Sequence, residues 1–212
     1  MDRRHFLKRS VVSAAGIATT GVVATEASAK TVKVKTRLEY GQTIKEPSRR
    51  IPVVDSADLI VVGGGPAGFA ASVAAARQGL DVIMLERGYF LGGLFTGCDV
   101  TLLNNMYSRT HNGRVQAVFG ICDELCNRLN SHKMMVWAGT PPNVDTEATK
   151  YFMEEMCAEA GVRILYGAHA SEVSMSGDRI DAVFVETKSG RVAMKTNFVI
   201  DCSGDGDVLA WT

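Results

Sequence analysis

The residues best suited by type and spacing to do chemistry are glycines and one acid. Gly63-Gly64-Gly65-Pro66-Ala67-Gly68 sets Gly63, Gly65 and Gly68 in the order G-x-G-x-x-G, and Glu86 follows roughly 20 residues later. In such a run the backbone, not the side chains, meets the ligand. Gly63 permits a tight turn, Gly65 leaves no Cβ between the backbone and a pyrophosphate, and Gly68 lets a helix pack closely on a strand. The helix expected after Pro66-Ala67-Gly68 then presents free N–H groups and a positive dipole end that suit phosphate oxygens. Glu86 can accept hydrogen bonds from both hydroxyls of a ribose. The chemistry implied is the binding of a dinucleotide. A glycine turn in an unrelated α/β protein is the plain alternative, and only the flanking elements can decide between them.

Those elements have the required order. Residues 57–62 form a short apolar run rich in β-branched residues, which predicts a buried parallel strand. Residues 69–78 are Ala-rich, free of Gly and Pro, and predict a helix stopped by Gly79. Residues 81–86 predict a second strand with the acid at its tip. Further on, the helix expected over 146–160 precedes a strand over 161–166. Short strands follow over 170–175, 179–187 and 191–195, separated by turns at Ser176-Gly177-Asp178 and Ser189-Gly190. A last apolar strand over 197–201 runs into Cys202-Ser203-Gly204-Asp205-Gly206-Asp207.

The residues after Glu86 select among dinucleotides. The string Arg87-Gly88-Tyr89-Phe90-Leu91-Gly92-Gly93-Leu94 resembles the FAD-dependent oxidoreductases of the glutathione reductase superfamily, the two-dinucleotide-binding-domain flavoproteins. There an acid, a short spacer and a Gly-Gly pair follow the first dinucleotide motif. The resemblance implies FAD, with the Gly92-Gly93 backbone close to its phosphates and ribityl chain and Arg87 and Leu94 among the cofactor-binding residues. Ser203, Gly204 and Asp205 match the family's strand followed by Ala-Thr-Gly-Asp, which passes beneath the FAD, with Cys202-Ser203 in place of Ala-Thr. By the same resemblance Ala170 gives a backbone contact to adenine. The implied fold is α/β: a Rossmann-like FAD-binding parallel sheet with an inserted small antiparallel strand unit. The implied function is transfer of electrons or hydride between flavin and an organic small molecule. An FAD-binding fragment without activity and a nicotinamide-nucleotide-binding dehydrogenase or module are the rivals.

The disulfide reductases of that superfamily carry Cys-x4-Cys two residues after the Gly-Gly pair. Phe95 and Val100 occupy those positions, so thiol–disulfide chemistry is not expected. Cys98 between them fits either a place near the flavin or, by preference, a small buried pair with Gly97. Cys122 and Cys126, at i and i+4 on an expected helix, suit packing better than a disulfide, and no Cys or His spacing suggests a metal site. The segment 99–145 matches no motif. Its Arg109, His111, Arg114, His132 and Trp137 could face substrate but read more naturally as surface or packing residues, so no catalytic residue is assigned. The flavin itself would carry the chemistry.

Charge and composition narrow the class further. Lys+Arg and Asp+Glu both number 23, which removes the basic surplus that nucleic-acid binding needs. Residues 1–29 hold Arg3-Arg4, a moderately apolar stretch and Ala27-Ser28-Ala29, the pattern of a twin-arginine signal peptide with a small-x-small cleavage site. A transmembrane anchor is disfavoured because Ser, Thr and Gly break the apolar stretch. The expectation is an exported, periplasmic protein that meets the twin-arginine machinery and keeps no membrane anchor when mature. Residues 30–56 read as an extended lead-in and 57–212 as the FAD-binding domain, expected to be its N-terminal part because the chain stops soon after the Gly204-Asp205 motif.

Overall fold

The structure, a computed structural model, describes residues 41–111, 113–136 and 142–212. The signal segment 1–29, residues 30–40, Asn112 and Trp137 lie outside the described residues. Residues 41–47 carry no helix or strand, and Ser48–Thr212 form one compact unit.

Strand β1 (Val53–Val62) starts inside the expected lead-in, four residues before the apolar run. Its first half is solvent-exposed, and its polar Asp55 and Ser56 hid it from hydrophobic periodicity. Arg163 holds this end: its guanidinium lies 2.7 Å from Asp55 and 2.7 Å from Asp81. Helix α1 (Pro66–Arg77) and strand β2 (Val82–Glu86) complete the strand–turn–helix–strand unit. Helix α2 (Leu94–Gly97) is one turn. The segment without a motif folds as the hairpin β3 (Tyr107–Thr110) and β4 (Gly113–Gln116), helix α3 (Ile121–Ser131), and the short pair β5 (Met135–Val136) and β6 (Asn143–Val144).

Helix α4 (Thr146–Ala160) has the expected bounds, and its ends explain why. The Asp145 carboxylate accepts from the Ala148 N–H at 2.8 Å, and Gly161 closes the helix with φ 82°. Strand β7 (Arg163–Tyr166) follows, then β8 (His169–Ser176), β9 (Arg179–Thr187), β10 (Gly190–Asp201) and the short α5 (Asp207–Trp211).

These strands build one six-stranded sheet in the order β7-β2-β1-β10-β9-β8. β7, β2, β1 and β10 from Ala193 onward run parallel, whereas β10 up to Lys195, β9 and β8 form an antiparallel meander. The expected separate strands over 191–195 and 197–201 are therefore one strand, and the antiparallel unit is continuous with the parallel sheet. Thr196 bridges the two halves: it is buried, and its hydroxyl donates to Phe198 O at 2.8 Å. Beyond Lys195, β10 pairs with β1 on one side only among the described strands.

Both faces of β2 and of the second half of β1 are buried. Leu59, Val61, Val82 and Met84 pack under α1, α3 and α4 with Leu129, Met153 and Met156. Ile60, Val62, Ile83 and Leu85 face the other way and meet Ala170, Val173, Val183, Val185 and Val208 from the meander and α5. Such two-sided burial is why β1 and β2 read as continuous apolar runs rather than alternating ones.

Candidate functional site at the carboxyl end of the parallel strands

Each glycine of the loop after β1 has a separate geometric task. Gly63 takes φ 102°, a left-handed conformation, and a Cβ there would lie 2.3 Å from the Cys202 carbonyl oxygen. A Cβ on Gly68 would lie 1.8 Å from Gly63 O, so α1 can reach the strand only through glycine. Gly65, the N-cap of α1, is extended at φ −67° and ψ −178°, which any residue adopts. Its missing Cβ would meet nothing within 4 Å. Gly65 is thus dispensable to the fold and opens onto free space.

The helix start beside that space is unsatisfied. The first intrahelical bond is Phe69 N–H to Gly65 O at 2.9 Å, Pro66 has no N–H, and no side chain caps the helix. No acid occupies the first turn. The N–H groups of Ala67 and Gly68, with the positive dipole end, are left for an external anion.

Glu86 is 8% exposed, and backbone N–H groups hold both of its carboxylate oxygens. Oε2 accepts from Gly64 at 2.7 Å and Oε1 from Gly88 at 2.6 Å. A carboxylate has about four acceptor positions, so about two remain for hydroxyl donors. Gly64 also accepts the Gly92 N–H at 2.8 Å, and a Cβ on Gly93 would come 3.3 Å from Gly65 Cα. Gly64 therefore ties the acid to the Gly92-Gly93 loop, a role that sequence spacing assigns to no residue. The signal was available: Gly64 makes the run an unbroken triple glycine. Arg87 and Leu94 are exposed at the rim of this ring, Leu94 at the first turn of α2.

The last motif meets the same loop. Cys202 N–H donates to Val62 O at 2.8 Å, which brings Cys202 O against Gly63. Ser203 N–H donates to Asp201 Oδ1 at 3.0 Å, and Ser203 Oγ accepts from Asp207 N–H at 3.1 Å. Gly204, at φ 94°, and Asp205 remain exposed. Burial acts to raise the Asp201 pKa, but hydrogen bonds from Ser203, Leu209 and Val208 outweigh it and hold the carboxyl below its ordinary range. Burial and the neighbouring Asp201 push the Cys202 thiol up.

Ala170 lies in β8, buried and paired with Val185, rather than in the ring of loops. The chain approaches the acid two residues earlier, where Ala168 N–H donates to Glu86 O at 3.0 Å and Gly167 N–H to Gly88 O at 2.9 Å. Gly167 and Ala168 were missed because no glycine pair or acid marks them.

Arg109 and Arg114 belong to the β3–β4 hairpin, where their backbones are in register. His132 closes α3 and packs on Phe152 at 4.9 Å between ring centroids. Cys98 is exposed, not part of a buried pair, because α2 ends there and turns its C-cap to solvent. All five cysteines are free thiols, including Cys122 and Cys126 on α3.

An elongated dinucleotide with a pyrophosphate at its centre fits this arrangement: open space over Gly65, free helix N–H groups, an acid with spare acceptor positions, and a second glycine loop in contact with the first. Comparison with known proteins agrees. Residues 58–212 match the family model described as FAD dependent oxidoreductase. A flavin-dependent halogenase of Armillaria mellea is 23% identical over 184 residues, covering 74% of this chain and 33% of its own. Mitochondrial dihydrolipoyl dehydrogenase of Cricetulus griseus is 42% identical over 85 residues, 37% of this chain and 16% of that enzyme. The chain thus spans a third or less of these curated relatives. Among solved structures, an anhydrotetracycline hydroxylase from Streptomyces rimosus superposes with a TM-score of 0.51 at 16% identity, covering 71% of this chain and 32% of that one.

Proposed function

Because the chain belongs to the FAD dependent oxidoreductase family, we propose that it binds FAD across the carboxyl ends of β1, β2 and β10 and exchanges electrons or hydride with a small organic molecule. The observation that carries this reading is the open face of Gly65 beside the uncapped start of α1. Gly63, Gly65, Pro66, Ala67 and Gly68 seat the pyrophosphate. Glu86 accepts from the ribose hydroxyls, with its two backbone bonds fixing the carboxylate in place. Arg87 lies at the adenosine side, and the stretch from Ala168 to Ala170 runs along the adenine. Gly92, Gly93 and Leu94, with Ser203, Gly204 and Asp205, line the part leading toward the flavin. When bound, FAD supplies the redox chemistry, accepting or returning two electrons and a proton. The chain's own contribution is orientation and a fixed electrostatic environment.

The test is anaerobic mixing of the purified yellow protein with classes of organic donor, and of its dithionite-reduced form with classes of organic acceptor. Bleaching or return of the flavin bands with one class is expected. A flavin that no donor reduces and no acceptor reoxidises would contradict the assignment. Residues 1–29 support a second proposal, export through the twin-arginine machinery to the periplasm. Arg3→Lys with Arg4→Lys keeps the charge but removes the planar guanidinium fork, so the precursor should stay in the cytoplasm. Equal periplasmic yield of the paired variant would exclude that route.

A further inference from the structure

Three sulfur-bearing residues come together between α3 and the residue preceding β3. The Cys122 thiol donates to Met106 Sδ at 3.7 Å, and Cys126, one turn further along α3, packs in the same core cluster as Met106. Cys122 and Cys126 stand one helical turn apart on α3, so their side chains share a face. Met106 is held by its own backbone, since its carbonyl accepts from Ala117 N–H at 2.8 Å and Val118 N–H at 3.3 Å. Met106 and Cys126 are buried, whereas Cys122 is only partly so and leaves a way in. The two thiols also line a 220 Å³ cavity with Phe69, Phe95, Leu125 and Met153.

We propose that Cys122, Cys126 and Met106 form a binding site for a soft monovalent metal ion, copper(I) or silver(I), beside a cavity that Pro66 of the glycine loop also lines. Two sulfurs 3.7 Å apart can both lie within a metal–sulfur bond, about 2.3 Å for zinc thiolates, of one point between them. Thiolate and thioether donors select copper(I) over the harder divalent ions. Among the described residues, no group of three or more His, Cys, Asp or Glu side chains stands ready for a metal. Four-coordinate zinc therefore lacks its donor set, whereas a two- or three-coordinate ion does not need one. The nearest acid, Asp123, is engaged: Oδ1 accepts from Gln116 Nε2 at 2.8 Å. Binding balances simply: one monovalent ion enters, two thiols become thiolates, two protons leave, and no electron moves. The site was invisible in the sequence because Met106 belongs to a different segment from the two cysteines.

The test uses the full reduced chain, kept anaerobic, titrated against the coloured copper(I)–bicinchoninate complex. The native chain should withdraw about one equivalent of copper(I). Cys122→Ser and Cys126→Ser should each lower affinity at least about tenfold, the loss that even an outer partner of a metal ligand produces. Met106→Leu conserves volume and apolarity, so reduced affinity there reads the thioether and not the packing. Cys98→Ser, on an exposed thiol elsewhere, should bind as the native chain does. No withdrawal by a folded native chain, judged by circular dichroism, would overturn the proposal. So would equal withdrawal by the Cys122→Ser, Cys126→Ser double variant or native affinity in Met106→Leu.

Discussion

Glu86 accepts one backbone N–H on each carboxylate oxygen and retains acceptor capacity for a ligand. Glu86→Gln keeps the shape but turns an NH2 group toward either Gly64 or Gly88, where a donor already points. It also removes the charge that strengthens each hydrogen bond, which contributes about 1.5–3 kcal/mol to a charged group against about 0.5–1.5 kcal/mol between neutral ones. Titration of the apo-protein should show FAD binding weakened by roughly tenfold or more; unchanged affinity would remove Glu86 from the site. Asp201 gives a second test, of pH. Its folded pKa lies below the ordinary value because the bonds from Ser203, Leu209 and Val208 outweigh burial. That stabilisation is present above the unfolded value, about 3.9, and is lost as pH falls through the folded one. Thermal melts from roughly pH 5 downward should therefore fall more steeply for the native chain than for Asp201→Asn. Parallel slopes would show that this loop does not contribute.

At the scale of elements, the unit β1–α1–β2 was legible because every local preference agrees: β-branched runs, a glycine turn, an Ala-rich helix with Gly79 just beyond it. The continuity of β10 was not. Thr196-Asn197 looks like a break between two strands, yet the Thr196 hydroxyl satisfies the strand internally and the side chain is buried. Burial that depends on partners distant in sequence leaves no local pattern to read. The four extra residues of β1 were hidden for the opposite reason, since they pair with β10 while remaining exposed. In the site itself, the glycine motif and Glu86 were legible from spacing. Gly64, Gly167 and Ala168 were not, because their roles arise only where three loops touch. The loop after β1 also yields a contrast in stability. Gly68→Ala drives a Cβ into Gly63 O and should cost about 1–3 kcal/mol by overpacking. Gly65→Ala, extended and facing open space, should leave the denaturant midpoint close to that of the native chain. Equal destabilisation by the two substitutions would contradict this division of labour.

At the scale of the whole molecule, one sheet serves two cores, and its parallel half ends in three loops that contact one another through glycine and backbone. Gly63 meets Cys202, Gly64 meets Glu86 and Gly92, and Gly65 meets Gly93. The side chains of Leu59, Val61, Met84 and Leu85 fix the strands, so the loops inherit their positions from a packed interior. That separation permits a decisive measurement: the FAD content of Gly65→Val beside that of the native chain, with far-ultraviolet circular dichroism on both. The native chain should carry FAD, and the variant should be colourless with an unchanged α/β spectrum, because valine there obstructs only the space reserved for the pyrophosphate. A folded Gly65→Val chain that retained FAD in native proportion would contradict the placement of the cofactor on this loop.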